Sequence, residues 1–363
     1  MFIRIFDSEA GLDINLPSIY RNINFENRSL KQEFEHLSKE LPLLVLFEVV
    51  SEDPKIRAKV KVIVKSLETT PIVAVFDHNL ADEISFWSSL GVHDTVHKTS
   101  EQDGLLTQIS NCDQEYARNF ALNDETAPER TLAVAERALE DMSAAMLDKQ
   151  ELSTSSTTAA ATFINALLEQ GREREWLHLV GQHHSPTLQH SLEVANIMYR
   201  FATTLGIEND EKLLLTKMSL VHDIGKLQIP LSILDKPEKL TDSEIELIKQ
   251  HPETGADFLR EFDSFPDKIL CGVRSHHEYL DGSGYPDGLS AEEIPQFVRM
   301  LTIADIFAAL TEKRAYKSPY SPRVAVTILW DMKRKLDTKL LPIFNREFAS
   351  SEFGKVAGSG KRR

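Results

Sequence analysis

Eight of the 12 histidines fall between His178 and His277, and several sit where a helix should be apolar. In HSLEVANIMYRF, His190 shares a face with Val194, Ile197, Met198 and Phe201, at helical spacings from the histidine. In LLLTKMSLVHDIGK the stripe Leu214, Met218, Val221 runs into His222 and Asp223, with Gly225 as the expected helix end. Asp305, in LTIADIFAAL, shares a face with Leu301, Ala304 and Ala308, where a carboxylate is costly unless paired, hydrogen-bonded or bound to a cation. His251 precedes Pro252, and the adjacent pair His276-His277 precedes EYLDGSGYP. One histidine on an apolar face is more often a satisfied core residue than a ligand. Together, His190, His222, Asp223, His251, His276, His277 and Asp305 exceed the needs of one tetrahedral site. Imidazole and carboxylate suit iron, manganese, nickel or zinc, so two divalent transition-metal ions are expected.

Such groups must be carried inward by helices. They recur at intervals of about 25 to 30 residues, the length of one helix and its connection, which suits an all-α bundle with a common centre. Thr241-Asp242-Ser243-Glu244 is a capping box opening a helix through Ile245 and Ile248. His251-Pro252 can stand at a helix start, where proline is tolerated. After His276-His277 the DGSG segment must turn sharply, so a helix end delivers two ligands and a loop follows that can arch over the pocket.

The amino-terminal third reads differently. FIRIF, PLLVLF and PIVAVF are short apolar runs rich in β-branched residues, expected as buried parallel strands, with RAKVKVIVKSLE as a surface helix between the last two. Residues 104–130 are polar and read as a linker. A helix over Thr131–Gln150 is expected to continue, past STSST, into one containing Phe163, Ala166, Leu167 and Gln170. Its stripe could make a signalling helix, although core packing is the commoner reason for such a pattern.

Composition narrows the function. With 41 basic against 56 acidic residues the formal charge is -15, a poor match for gripping long nucleic acids, while a small anion remains acceptable beside a metal or a local basic cluster. Two distant cysteines and no leader pattern favour the cytoplasm. The longest apolar run, LPLLVLFEVV, is about half a membrane span, so no membrane insertion is expected.

HDIGK, the pair His251-Pro252, HHEYLDGSGYPDGL and Ala304-Asp305, in this order between about Gln189 and Ile328, closely resemble the HD-GYP family of cyclic di-GMP phosphodiesterases within the HD superfamily of phosphohydrolases. The resemblance implies a metal held by His190, His222, Asp223 and Asp305. A second would be held by His251, His276 and His277, with Asp223 bridging. It implies hydrolysis of cyclic di-GMP by a hydroxide bridging the metals, with linear pGpG or GMP as the end product. Lys226 would steady the phosphate, Tyr285 with Gly282 and Gly284 would shape the substrate pocket, and Arg314 and Lys317 would grip the second phosphate. The bland readings are a solvated basic patch for Arg314 and Lys317 and a structural turn at Tyr285-Pro286. Pro186 stands where some members place a third-metal glutamate, which favours two metals. Glu193, Ala308 and Ala315 replace the arginine, aspartate and proline common in the family, none of them an expected ligand. A hybrid cyclic GMP-AMP is an alternative substrate, and a low-activity sensor or scaffold an alternative role.

Residues 1–105 resemble a response-regulator receiver domain without its switch chemistry. Asp7 and Lys98 match, but Glu48 replaces the acceptor aspartate and Phe76 the hydroxyl residue. Dimerisation or binding of a signalling partner is the expected use, against an unrelated α/β domain with merely solvated charges. The expected organisation is therefore a flavodoxin-like receiver-like α/β domain over 1–105, a linker and connecting helix over 106–150, an all-α HD-GYP bundle over 151–345 and a disordered tail over 346–363. His183 and His184 have no assigned role.

Overall fold

The computed structural model describes five strands and scattered helical positions before residue 125, then residues 125–349 except 149–153, 184, 235, 237, 263–264 and 313–317. Two compact units divide between Asp124 and Glu125.

The first unit contains a parallel sheet of β1 (Phe2–Phe6), β2 (Phe25–Ser29), β3 (Leu44–Glu48), β4 (Ile72–Phe76) and β5 (Asp94–His97), in the order β2-β1-β3-β4-β5. The three strands expected from apolar runs are the inner ones. The edge strands FENRS and DTVH are more polar, because an edge strand need not be buried on both faces. Val60 and Val64 are buried at helical positions between β3 and β4, as a one-sided surface helix requires.

The second unit is helical. It comprises α1 (Ala127–Asp148), α2 (Thr154–Glu169), α3 (Glu173–Val180), α4 (Pro186–Thr204), α5 (Asn209–Val221), a 3-10 turn (Ile224–Gln228), α6 (Leu231–Leu234), α7 (Asp242–Lys249), α8 (His251–Arg260), α9 (Asp267–Ser275), a second 3-10 turn (Ala291–Glu293), α10 (Gln296–Thr311), α11 (Pro322–Asp331) and α12 (Leu341–Phe348). α4 packs against both α5 and α10, and α9 against α5, α8 and α10, so five helices surround one centre.

Three expected boundaries change. α1 belongs to the second unit instead of acting as a connector, because Ala135, Ala138, Met142 and Ala145 bury a stripe of small and flexible side chains and the helix packs on α2. The unit also runs past residue 345, since Phe348 is fully buried and stacks on Phe344 at 4.3 Å. Finally, α5 stops at Val221 with His222 as its cap, and Gly225 lies within the 3-10 turn. Gly225 is needed for close approach, since a Cβ there would meet the His251 carbonyl oxygen at 2.0 Å. Residues 350–363 and the side chains of Asp7, Glu48, Phe76 and Lys98 lie outside the described part.

Candidate metal centre

Helix termini place most of the histidines. His222 and His276 cap the ends of α5 and α9, and His251 opens α8 beside Pro252. Each uses a carbonyl three residues back: Nδ1 of His222, His251 and His276 donates to Ser219, Ile248 and Val273 at 2.7 Å in every case. The last carbonyls of a helix lack intrahelical partners, which makes them natural acceptors. A carbonyl can only accept, so the proton sits on Nδ1 and the Nε2 lone pair is left facing inward.

Those lone pairs converge on Asp223, which starts the 3-10 turn directly after α5. Its Oδ1 lies 3.2 Å from His251 Nε2 and 3.6 Å from His276 Nε2. Its Oδ2 lies 3.4 Å from His222 Nε2 and 3.7 Å from His190 Nε2. One carboxylate oxygen therefore faces each pair of imidazoles. From α10, Asp305 Oδ1 approaches His190 Nε2 at 2.9 Å and His222 Nε2 at 3.9 Å, while Oδ2 is 3.8 Å from His277 Nδ1. The result is two groups of convergent donors: His190, His222 and Asp305, and Asp223, His251, His276 and His277, the donor atoms within each lying inside 4.8 Å of one another.

The donor chemistry fits divalent cations. His251 Nε2 and His276 Nε2 are 3.2 Å apart, yet with both protons on Nδ1 neither can donate to the other. His222 Nε2 and Asp223 Oδ1 are buried without a hydrogen-bond partner, an expensive arrangement that a shared cation resolves.

The electrostatics of the two groups diverge. Burial pulls His190 down, but the Asp305 hydrogen bond and the nearby Glu312 and Asp223 carboxylates outweigh it and raise its pKa to about 10. His276 goes the other way, lowered to about 4 by burial first and by neighbouring imidazoles, with Asp223 opposing. His277 is also lowered, by burial and then by His276. Burial opposes ionisation of Asp223 and Asp305, but Lys226 and His222 around the former and His190 around the latter hold both carboxyls well below the usual range.

The residues expected to touch substrate are placed in part. Lys226, itself partly exposed, donates from Nζ to the buried Asp223 Oδ2 at 2.5 Å. The Tyr285 ring lies 4.8 Å from the His277 ring, and its backbone N–H donates to the His277 carbonyl. Gly284 lets the loop fold back on the helix end, since a Cβ would come within 2.5 Å of Glu278 Cα. Gly282 turns with φ 74°, which glycine accommodates without strain. Arg314, Lys317, Ala315 and His184 lie outside the described residues. His183 is set apart from the centre, its Nε2 2.9 Å from Glu136 Oε1 on α1.

Several residues that support the centre carry no role in the sequence reading. Glu278 is buried and its two oxygens accept the backbone N–H groups of Asp287, Gly288 and Leu289 at 2.7 to 3.0 Å, pinning the loop that follows the histidine pair. Thr302 donates to the His276 carbonyl at 2.8 Å. Glu193 is raised to about 7 by burial and then by the charge of Glu312. Glu278 adjoins the histidine pair, which is a usable signal; Thr302 and Glu312 have none.

Residues 169–340 match the family described as HD domain. The chain is 33% identical over 158 residues to a cyclic di-GMP phosphodiesterase of Pseudomonas aeruginosa, covering 44% of this chain and 38% of that one. It is 40% identical over 144 residues to the 3'3'-cGAMP-specific phosphodiesterase 1 of Vibrio cholerae, covering 39% and 33%. A cyclic di-GMP phosphodiesterase of Thermotoga maritima is 32% identical over 179 residues, 44% of this chain and 47% of that one. The chain thus spans less than half the length of each of these relatives. Among solved structures, an HDG"Y"P protein of Bdellovibrio bacteriovorus shares the fold, with a TM-score of 0.51 and 18% identity over 66% of this chain and 80% of the other.

Proposed function

From the match of residues 169–340 to the HD domain, we propose that this chain hydrolyses a cyclic dinucleotide, opening cyclic di-GMP to linear pGpG, with GMP as the alternative end product. One observation carries the proposal: Asp223 presents one oxygen to His251 and His276 and the other to His190 and His222. A carboxylate so shared suits two divalent ions a bridge apart. His190, His222 and Asp305 would hold one, and His251, His276 and His277 the other, with Asp223 common to both. Iron or manganese suits this imidazole-carboxylate set best, nickel and zinc next. Such ions, when bound, supply Lewis acidity toward the phosphodiester and lower the pKa of water.

The remaining work belongs to the chain's own groups. Lys226, partly exposed beside Asp223, supplies positive charge to the phosphate and to charge developing on it. Tyr285, lying against His277, forms a wall of the substrate pocket, and the close packing of Gly284 keeps that wall near the helix end. Arg314 and Lys317 are assigned the second phosphate. A hybrid cyclic GMP-AMP is the second reading, favoured by the similarity to 3'3'-cGAMP-specific enzymes of Vibrio cholerae.

For the first unit, the strand order β2-β1-β3-β4-β5 is that of flavodoxin-like sheets and supports a receiver-like domain. With Glu48 ending β3 and Phe76 ending β4, we assign it to dimerisation or binding of a signalling partner, without phosphorylation. Labelling of this unit by a small phosphodonor would overturn that assignment. The sparse use of cysteine supports a cytoplasmic role. Among the described residues no helix is long and apolar enough to cross a membrane.

The test is anaerobic purification, elemental analysis and side-by-side turnover of cyclic di-GMP and 3'3'-cGAMP on the same sample. About two transition ions per chain with hydrolysis abolished in Asp223→Ala is the expected result. Two ions and binding without turnover of either compound would replace the enzyme with a sensor or scaffold.

A further inference from the structure

We infer that Glu312 is a positioning residue for His190, orienting its ring and setting the metal affinity of that group alone; the inference rests on the two-metal reading above. His222, His251 and His276 all fix their rings through a carbonyl three residues back. His190 has no such option. It lies within α4, where carbonyls are committed to the helix's own N–H groups. Its Nδ1 has no well-formed hydrogen bond and instead lies 3.5 Å from Glu312 Oε2.

α10 supplies the carboxylates on both sides of this ring. Asp305 meets Nε2 at 2.9 Å, and Glu312, seven positions later at the cap of the same helix, approaches Nδ1. Two turns bring both onto one face, and the longer glutamate reaches back because helical side chains lean toward the amino terminus. Glu312 is 95% shielded from solvent, so a charge there is costly unless it serves a partner. A carboxylate accepting Nδ1–H fixes the tautomer with Nε2 toward the metal and makes the imidazole a stronger donor. His222, His251 and His276 rely on neutral carbonyls, and His277 Nδ1 faces the ligand candidate Asp305 at 3.8 Å, so among these five rings a carboxylate from outside the donor set meets His190.

The test uses the full chain, stripped of metal and titrated with Zn²⁺, followed by ring-¹⁵N NMR of the histidines. Glu312→Gln keeps the size of the side chain and removes its charge. The wild type should bind two zinc ions, and the variant should bind one unchanged and the other about 10- to 100-fold more weakly. The weakened ion should be the one lost in His190→Ala and retained in His276→Ala, and the His190 ring resonances should move most. Should Glu312→Gln not fold, Glu312→Asp, which withdraws the charge by one methylene, should weaken the same ion. Two ions bound with unchanged affinity in the variant, or both weakened equally, would overturn the role of Glu312. A wild type taking up no zinc would instead overturn the two-metal reading, and this inference with it.

Discussion

The two donor groups of the centre are built over different distances. His251 and His276 are 25 residues apart, carried by the start of α8 and the end of α9, which pack on each other. His190 and Asp305 are separated by 115 residues and meet only because α4 packs against α10. The near-range group is rich in imidazole, and burial, with neighbouring imidazoles adding to it, lowers the pKa of His276 and His277. In the long-range group carboxylates flank His190 and favour its charged form. Local chain geometry can thus assemble one set of ligands almost by itself, whereas the other depends on the closure of the bundle. Asp223 is the point where they meet.

Breaking that joint should have the largest effect. Asp223→Ala should remove both metals and lower turnover by at least about 10³-fold, a loss of several kcal/mol of transition-state stabilisation. Elemental analysis and kinetics on one preparation check it; two retained metals would show that Asp223 does not bridge. Splitting the comparison comes next. Asp305→Ala and His276→Ala should each leave about one metal per chain and cost about 10²-fold or more in turnover. If the halves act as a unit, the double variant should be little worse than either single one, which a double-mutant cycle in kcat measures.

Gly225→Ala probes the contact between the Asp223 turn and the near-range group. Its Cβ would collide with the His251 carbonyl oxygen at 2.0 Å, so backbone must move. A destabilisation of about 1–3 kcal/mol is expected, read as a lower Tm of the metal-free protein, with the His251 metal weakened more than the His190 one. The smallest effect should come from the loop. Glu278→Gln replaces one of two accepting oxygens by an amide that opposes a backbone N–H. It should cost about 1–2 kcal/mol in stability and raise KM while metal content stays at wild-type level. Loss of metal in that variant would mean that the loop supports the ligands as well as the substrate.

Much of the centre is legible in the amino-acid sequence. His190, His222 with Asp223, and Asp305 stand out because a histidine or aspartate on an apolar stripe contradicts its neighbours, while His251 is marked by a capping box and a His-Pro helix start and His276-His277 by the turn that follows them. The inner strands are readable because they are continuously apolar. The polar edge strands carry no such signal. α1 is harder to place, since a stripe of small residues reads alike in a connector and in a core helix. Gly225 reads as a helix end because sequence shows a glycine and not the carbonyl pressed against it.

The sequence alone therefore determined which side chains stand against their surroundings, and with them the likeness of residues 169–340 to the HD domain. How those side chains divide into two groups was implied by the family resemblance and not by the residue pattern itself, and the tertiary structure decides it. Periodicity reports which face of a helix turns inward, but partners across a bundle are chosen by packing between segments far apart. Asp223 sharing its oxygens and Glu312 reaching the far nitrogen of His190 are properties of that packing.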